Sequence, residues 1–398
     1  MKAETGGYDT TNKIQLLDNY KISRRRAVRM LAGGVLAAAG GLCLGLPSLT
    51  IPKAFGASVN PSNLRTLNTP NPMTIFVRGT DGNLWLEHDW GAGVPPPRTQ
   101  VDGGVSGTFE QAGESQLWRT PFQAVNNTEI FVLGSDGNLW LEYSPFNSVP
   151  PTRSQVDGSV AQFQVIDSNH VFVLGSDGNL WLENGPPFCC FDNVPVQRTS
   201  VAGGIYAFQA LDANTVFALD GNGGNLWLTQ GPFPNQRGGF QFSSNSTVQV
   251  DAKVANFTAV SKGIVYVQGS DLNLWKETGT FADMQATLSN RVLVDQNVNA
   301  VQPFYTPSKD FAYVQGHDGN LWFESGPWGE SVPPPRTLVD DNCLCWGANP
   351  YNSTQLVLID GDQNLWYENY VNGIVSGRVQ VDGSVYACQP MWPRFVPL

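Results

Sequence analysis

Histidine is scarce: the 398 residues hold three, His88, His170 and His317, each in a different local context. They have no reason to converge, and no Ser/His/Asp set or His/Cys metal spacing stands out. No cofactor or metal is therefore expected. Positive charge is also short, with 23 Lys or Arg against 34 Asp or Glu. Residues 1–56 hold eight of the bases and three of the acids, which leaves 15 − 31 = −16 for the rest. A body this acidic repels phosphate backbones and anionic lipid, which argues against nucleic acid as a partner. Long helical periodicity is missing too, while Gly (42) and Pro (27) are plentiful, which points to many turns.

What the chain does have is a repeat. Gly175-Ser176-Asp177-Gly178-Asn179-Leu180-Trp181-Leu182-Glu183 recurs almost unchanged at residues 134–142. The seven copies are marked by Trp85, Trp140, Trp181, Trp227, Trp275, Trp322 and Trp366, spaced 55, 41, 46, 48, 47 and 44 residues apart. Such a period is the mark of an architecture whose units bury their faces against one another. Each copy reads as a hairpin. A β-branched and aromatic run such as Val171-Phe172-Val173-Leu174 precedes Asp-Gly, the pair favoured by a tight primed turn. The next five residues alternate, Leu180 and Leu182 on one face and Trp181 and Glu183 on the other. Leu272 and Gln363 replace the turn glycine in the fifth and seventh copies, so those turns must change type or carry strain. The fourth copy, residues 220–225, is a longer loop.

A further strand ends in Arg-x-x-Val-Asp, at Arg98, Arg153, Arg291, Arg336 and Arg378; the third unit has Arg198 but Ala202 for the Asp, and the fourth loses the Arg. Four short antiparallel strands repeated seven times predict an all-β, seven-bladed β-propeller. A stacked solenoid of the same units would leave exposed edges. Residues 383–389 match a first strand with no second strand after them, so the C-terminal strand is expected to close the ring. Residues 392–398 leave a partial eighth element open, and residues 113–121 are expected to protrude as a loop.

The domain reading is 1–57, an N-terminal region, and 58–398, the repeats. Ser23-Arg24-Arg25-Arg26 stands before an uncharged, Gly/Ala-rich stretch, with Lys53 near its end. This resembles a twin-arginine signal peptide, with Ala27 where that family usually has Phe. The resemblance implies export and a mature start near Ala57; the alternative is an uncleaved membrane anchor. After processing five cysteines remain, Cys189, Cys190, Cys343, Cys345 and Cys388. Cys388 is placed to bridge to Cys343 or Cys345, and the alternative is unpaired buried thiols.

By motif and period the repeats resemble the tectonin and tachylectin-like propellers and bacterial seven-bladed propeller lectins with Asp-Gly-x-Leu-Trp motifs. The resemblance implies a secreted carbohydrate-binding protein with several similar sites, no catalysis, and glycans or glycoconjugates as partners. The turn is also similar to the sialidase Asp-box, but its Asp-to-Trp spacing of four is one short, so no sialidase chemistry is carried over. The expected sugar platforms are the aromatics of the third-to-fourth loops, Trp90, Phe146, Phe188, Phe233, Phe281, Trp328 and Tyr370, with Arg98 and Arg336 beside them. The alternative is that these rings cap the grooves between blades. The motif tryptophans are expected to be interior packing residues, and the Glu two positions after each is expected to pair with an arginine. Two further readings stay open: an extracellular scaffold for protein partners, and a sialidase-like or lyase-like enzyme with carboxylates meeting in the central channel.

Overall fold

A computed structural model describes residues 74–88, 96–106, 121–126, 128–146, 148–185, 197–221, 224–233, 247–282, 285–305, 310–329, 331–349, 352–371 and 374–390. The signal-like segment, the 57/58 boundary, the loop at 113–120 and Cys189–Cys190 lie outside the described residues. The described strands belong to one compact unit, residues 68–398. Among the described residues no helix is long and apolar enough to cross a membrane.

The unit is a seven-bladed propeller of four-stranded antiparallel blades. Blade 3 shows the plan: Val160–Asp167, His170–Gly175, Leu180–Asn184 and Gln197–Ala202 pair in sequence order. Blade 1 is the exception that closes the ring. Its first strand is Val385–Pro390, which pairs antiparallel with Ile75–Gly79. Blades 2 to 7 otherwise follow one another along the chain. The alternating Leu residues explain the stacking. Seven core clusters form, each spanning one junction between neighbouring blades.

The first strands are clasped around the axis by one repeated side chain. Gln164 donates to the Ala210 carbonyl at 2.7 Å and accepts from the Ala210 amide at 2.7 Å. Gln209 and Gln302 make the same two-way clasp to the next blade, Gln123 donates to the Phe163 carbonyl and accepts from Val165 N, and Gln389 Oε1 accepts from Ala124 N. Thr258 replaces it with one bond to the Val301 carbonyl. Blade 7 has Gly347 at this position, so the junction that closes the ring has no side-chain clasp there.

The hairpin turn differs from the primed turn expected. Gly175 N donates to Asn179 O and Gly178 N to Gly175 O, and within this loop positive φ falls at Gly178 (+78°). This is a three-residue loop, 176–178, ending in one left-handed residue. Leu272 and Gln363 hold that same conformation, at φ 66° and 65°, so they carry the strain and the turn type is unchanged. A left-handed L-residue costs roughly 1–2 kcal/mol. Leu272→Gly and Gln363→Gly are each expected to raise stability by about 1 kcal/mol in urea unfolding; destabilisation by either would show that the side chain holds the turn.

The turn carboxylate explains a second sequence variation. Asp177 accepts from Asn179 N at 3.0 Å and from its side chain, and a Cβ on Gly175 would lie 2.6 Å from Asp177 Oδ1. In blades 4 and 7 the aspartate itself occupies the Gly175 position. Asp220 and Asp360 then take the same asparagine, and Asp360 also accepts Trp366 Nε1 at 2.7 Å.

The cysteine bridge is a correction. Cys343, Cys345 and Cys388 are free thiols. Cys388 and Cys345 pack in the same apolar cluster at the closing junction.

Candidate functional site

Arg98 and Arg336, expected beside a sugar, sit in interblade ion clusters. Arg98 lies 4.3 Å above the Trp85 ring, 4.0 Å from Glu87 of its own blade and 3.5 Å from Asp382 of the preceding blade. Arg336 repeats this with Trp322, Glu324 and Asp295. Six blades carry the arrangement, with the guanidinium 4.2–4.7 Å over the tryptophan. Blade 4 keeps Trp227 and drops the three charged members together. Thr229 stands for the Glu, Thr247 for the Arg, and Ala202 of blade 3 for the Asp; the two threonine hydroxyls are 3.3 Å apart. An arginine without its acids would be an uncompensated half-buried charge, so the members are kept or lost as a set. Burial pushes the glutamates up, to about 9 for Glu87, Glu142 and Glu324 and about 8 for Glu183 and Glu277.

The motif tryptophans are half-buried where the sequence implied interior positions. In six of the blades an arginine lies over one face of the ring.

The loop aromatics fall in the interblade grooves. Phe146 packs edge-on against Phe76 of the preceding blade at 6.3 Å, and Phe233 against Phe172 at 6.1 Å. Tyr370 meets Tyr313 at 6.2 Å. Phe146 and Tyr370 are 8% and 3% exposed, too little for stacking a ligand. Trp328 is half-buried and donates Nε1–H to the Tyr266 hydroxyl at 3.2 Å. Phe281 lies in the strand Leu274–Ala282 opposite Ala286. Trp90 and Phe188 lie outside the described residues.

Chemistry that serves one site must break the repeat, and the blade 5–6 junction does. The third strand reads Leu-Trp-Leu in blades 1 to 4, but Leu274-Trp275-Lys276 in blade 5. Blades 6 and 7 have Phe323 and Tyr367 there. Lys276 Nζ donates across the junction to Asp310 Oδ2, with side chains 12% and 19% exposed. Asp310 occupies the turn position that is Asn169 in blade 3 and Asn214 in blade 4. Its carbonyl accepts Gly326 N at 3.0 Å, which ties it to the loop carrying Trp328. Tyr266, paired with Lys276 across the blade 5 ladder, supplies a hydroxyl whose ionisation burial and Asp310 both oppose. An ammonium, a carboxylate, a phenol and an indole N–H thus share one groove. The sequence reading passed over Lys276; the signal was there, since it is the one charged residue at this position in the seven motif copies. His170 instead pairs locally with Asp167 at 2.9 Å, and among the described residues no group of three or more His, Cys, Asp or Glu is poised to hold a metal.

No protein-family model and no curated protein matches the sequence. Among solved structures, a candidate 6-phosphogluconolactonase from Bacteroides fragilis aligns with TM-score 0.51 and 9% identity, over 82% of this chain and 99% of its own. A protein from Lactobacillus plantarum aligns with TM-score 0.52 and 11% identity, over 81% of this chain and 100% of its own. The likeness is of fold. Against the expectation drawn from the lectin resemblance, a carbohydrate-binding propeller without catalysis, the Bacteroides neighbour bears the name of a candidate enzyme. Of the seven rings expected as sugar platforms, Phe146, Phe233, Trp328 and Tyr370 contact an aromatic side chain of the preceding blade.

Proposed function

We propose that this chain is a hydrolase of cyclic esters such as sugar lactones, reacting at the blade 5–6 junction. The observation that carries the reading is the exchange of the repeat leucine for Lys276, paired with Asp310 beside Trp328. The name of the Bacteroides neighbour supplies the substrate class to try first.

The groups suit acyl hydrolysis. A carboxylate held at 19% exposure can take a proton from water as the water oxygen bonds to the acyl carbon. The carbonyl electron pair moves onto oxygen, and the Lys276 ammonium faces that developing charge. The tetrahedral carbon then releases the ring oxygen, which takes the proton from Asp310 and leaves a hydroxy acid. The Trp328 indole covers one side of the groove. Export by the twin-arginine route, proposed on residues 23–56, would place this reaction outside the cytoplasm.

The test is a pH-stat assay of a panel of γ- and δ-lactones, with and without a phosphate group. The expected result is saturable acceleration of ring opening for at least one sugar lactone. Rates equal to the spontaneous ones across the panel would reject the reading, and protein capture by the intact propeller would then favour a scaffold.

A further inference from the structure

The interblade clusters hold one base against two acids. At four junctions the two acids, Glu87 and Asp382, Glu142 and Asp102, Glu277 and Asp251, and Glu324 and Asp295, flank one guanidinium nitrogen that lies within 4.0 Å of both. The glutamates are fully buried, at 0% exposure. The facing cation, Arg98, Arg153, Arg291 or Arg336, is about a third exposed and reaches the glutamate at 3.3–4.0 Å. Both carboxyl oxygens of all four glutamates have no donor aimed at them. Two ionised carboxylates beside one guanidinium repel, and one arginine at this distance cannot neutralise both. A proton on the glutamate removes the surplus charge and supplies the missing donor.

In blades 3 and 7 the arginine instead sits between the acids. Arg198 reaches Glu183 at 3.1 Å and Asp157 at 3.0 Å, and Arg378 reaches Glu368 at 3.1 Å and Asp340 at 3.0 Å. Glu368 also accepts from the Tyr370 hydroxyl. At these two junctions the guanidinium stands closer to both acids, and they are not counted.

We propose that the folded ring holds four protons at neutral pH, one in each of these glutamate–aspartate pairs between blades, so that alkali loosens the propeller at its junctions. The groups facing each glutamate are the arginine of its own outer strand and the aspartate of the preceding blade; Cys388 is a further titratable group near Glu87. The sign follows from linkage. The folded glutamates bind protons up to about 8–9, while unfolded ones release theirs near the usual 4.5. Stability conferred by these protons is complete below the unfolded value and is lost as pH rises from there through the folded value.

The experiment measures proton uptake on refolding from urea at pH 7, by calorimetry in two buffers of different ionisation enthalpy. Wild type is compared with Glu142→Gln and with Glu87→Gln/Glu142→Gln/Glu277→Gln/Glu324→Gln. Glutamine keeps the shape and donates to the aspartate as the protonated acid does. The expected result is one proton fewer for the single variant and four fewer for the quadruple, with a melting temperature that falls less from pH 6 to 9 than in wild type. If the quadruple variant does not fold, the single variant and the wild-type count decide. Uptake unchanged by Glu142→Gln, or a wild-type uptake below one proton, would overturn the proposal.

Discussion

A chain ending at residue 383 is expected to yield no folded monomer. It lacks Val385–Pro390, the first strand of blade 1, and leaves Ile75–Gly79 as an unpaired inner edge. Val385, Ala387 and Cys388 are at most 7% exposed, and they pack into the clusters on both sides of blade 1. Burying each larger apolar side chain is worth about 1.5–3 kcal/mol. The truncation also removes the bond from Ala124 N to Gln389 at 2.8 Å, and the ladder with Ile75–Gly79. Together these losses approach the ~5–15 kcal/mol that holds a typical domain. The open edges left behind are templates for aggregation. Gel filtration and urea unfolding check this, and a peptide of residues 383–398 added in trans should restore a soluble ring. A truncated monomer with wild-type unfolding would show that closure is dispensable.

The second large effect is at the blade 6–7 junction. Tyr313 is fully buried, and Phe304, Phe323, Trp346 and Tyr370 surround it with ring centroids 5.2–6.2 Å away. Tyr313→Ala is expected to cost about 3–5 kcal/mol, as for emptying a large buried aromatic. Trp181→Ala should cost less, about 1–2 kcal/mol, although tryptophan is the larger residue. Trp181 is half-buried and loses mainly its contact with Arg198 at 4.2 Å. Urea denaturation of both variants gives the ranking. The opposite order would mean that the motif tryptophans, not the second-strand aromatics, carry the junctions.

These two residues show what the sequence made legible. The repeat of Trp181 and its six counterparts, with the period-two leucines, was enough to predict blade number, strand order and the closing role of residues 383–389. Register follows from alternation, so it can be read from a string of letters. Side-chain destination cannot. Trp181 and five of its counterparts lie half-buried under an arginine, and Phe146 and Tyr370 look like exposed loop rings until the preceding blade is in place beside them. The positive φ at Leu272 was also beyond reach, since a leucine gives no sign of which turn it accepts. Blade 4 is instructive in the other direction. Its missing Arg and the Ala202 before it were visible as separate irregularities, and only the ring places them, with Thr229, at one junction. Lys276 was visible in the same way, as a charge in a column otherwise apolar, and its meaning depends on Asp310 standing across the groove.

That column also supplies the most direct test of the functional account. Lys276→Leu/Asp310→Asn writes the residues of blades 3 and 4 into the blade 5–6 junction, since Leu182 and Leu228 stand at the first position and Asn169 and Asn214 at the second. The repeat already accommodates both, so the variant is expected to fold with a melting temperature equal to or above that of wild type. Initial rates of sugar-lactone opening are then compared in the pH-stat at equal protein concentration. Loss of a general base and of the cation facing the oxyanion should lower kcat/KM by at least ~100-fold. A folded variant that opens the lactone at the wild-type rate would contradict the assignment of hydrolysis to this junction.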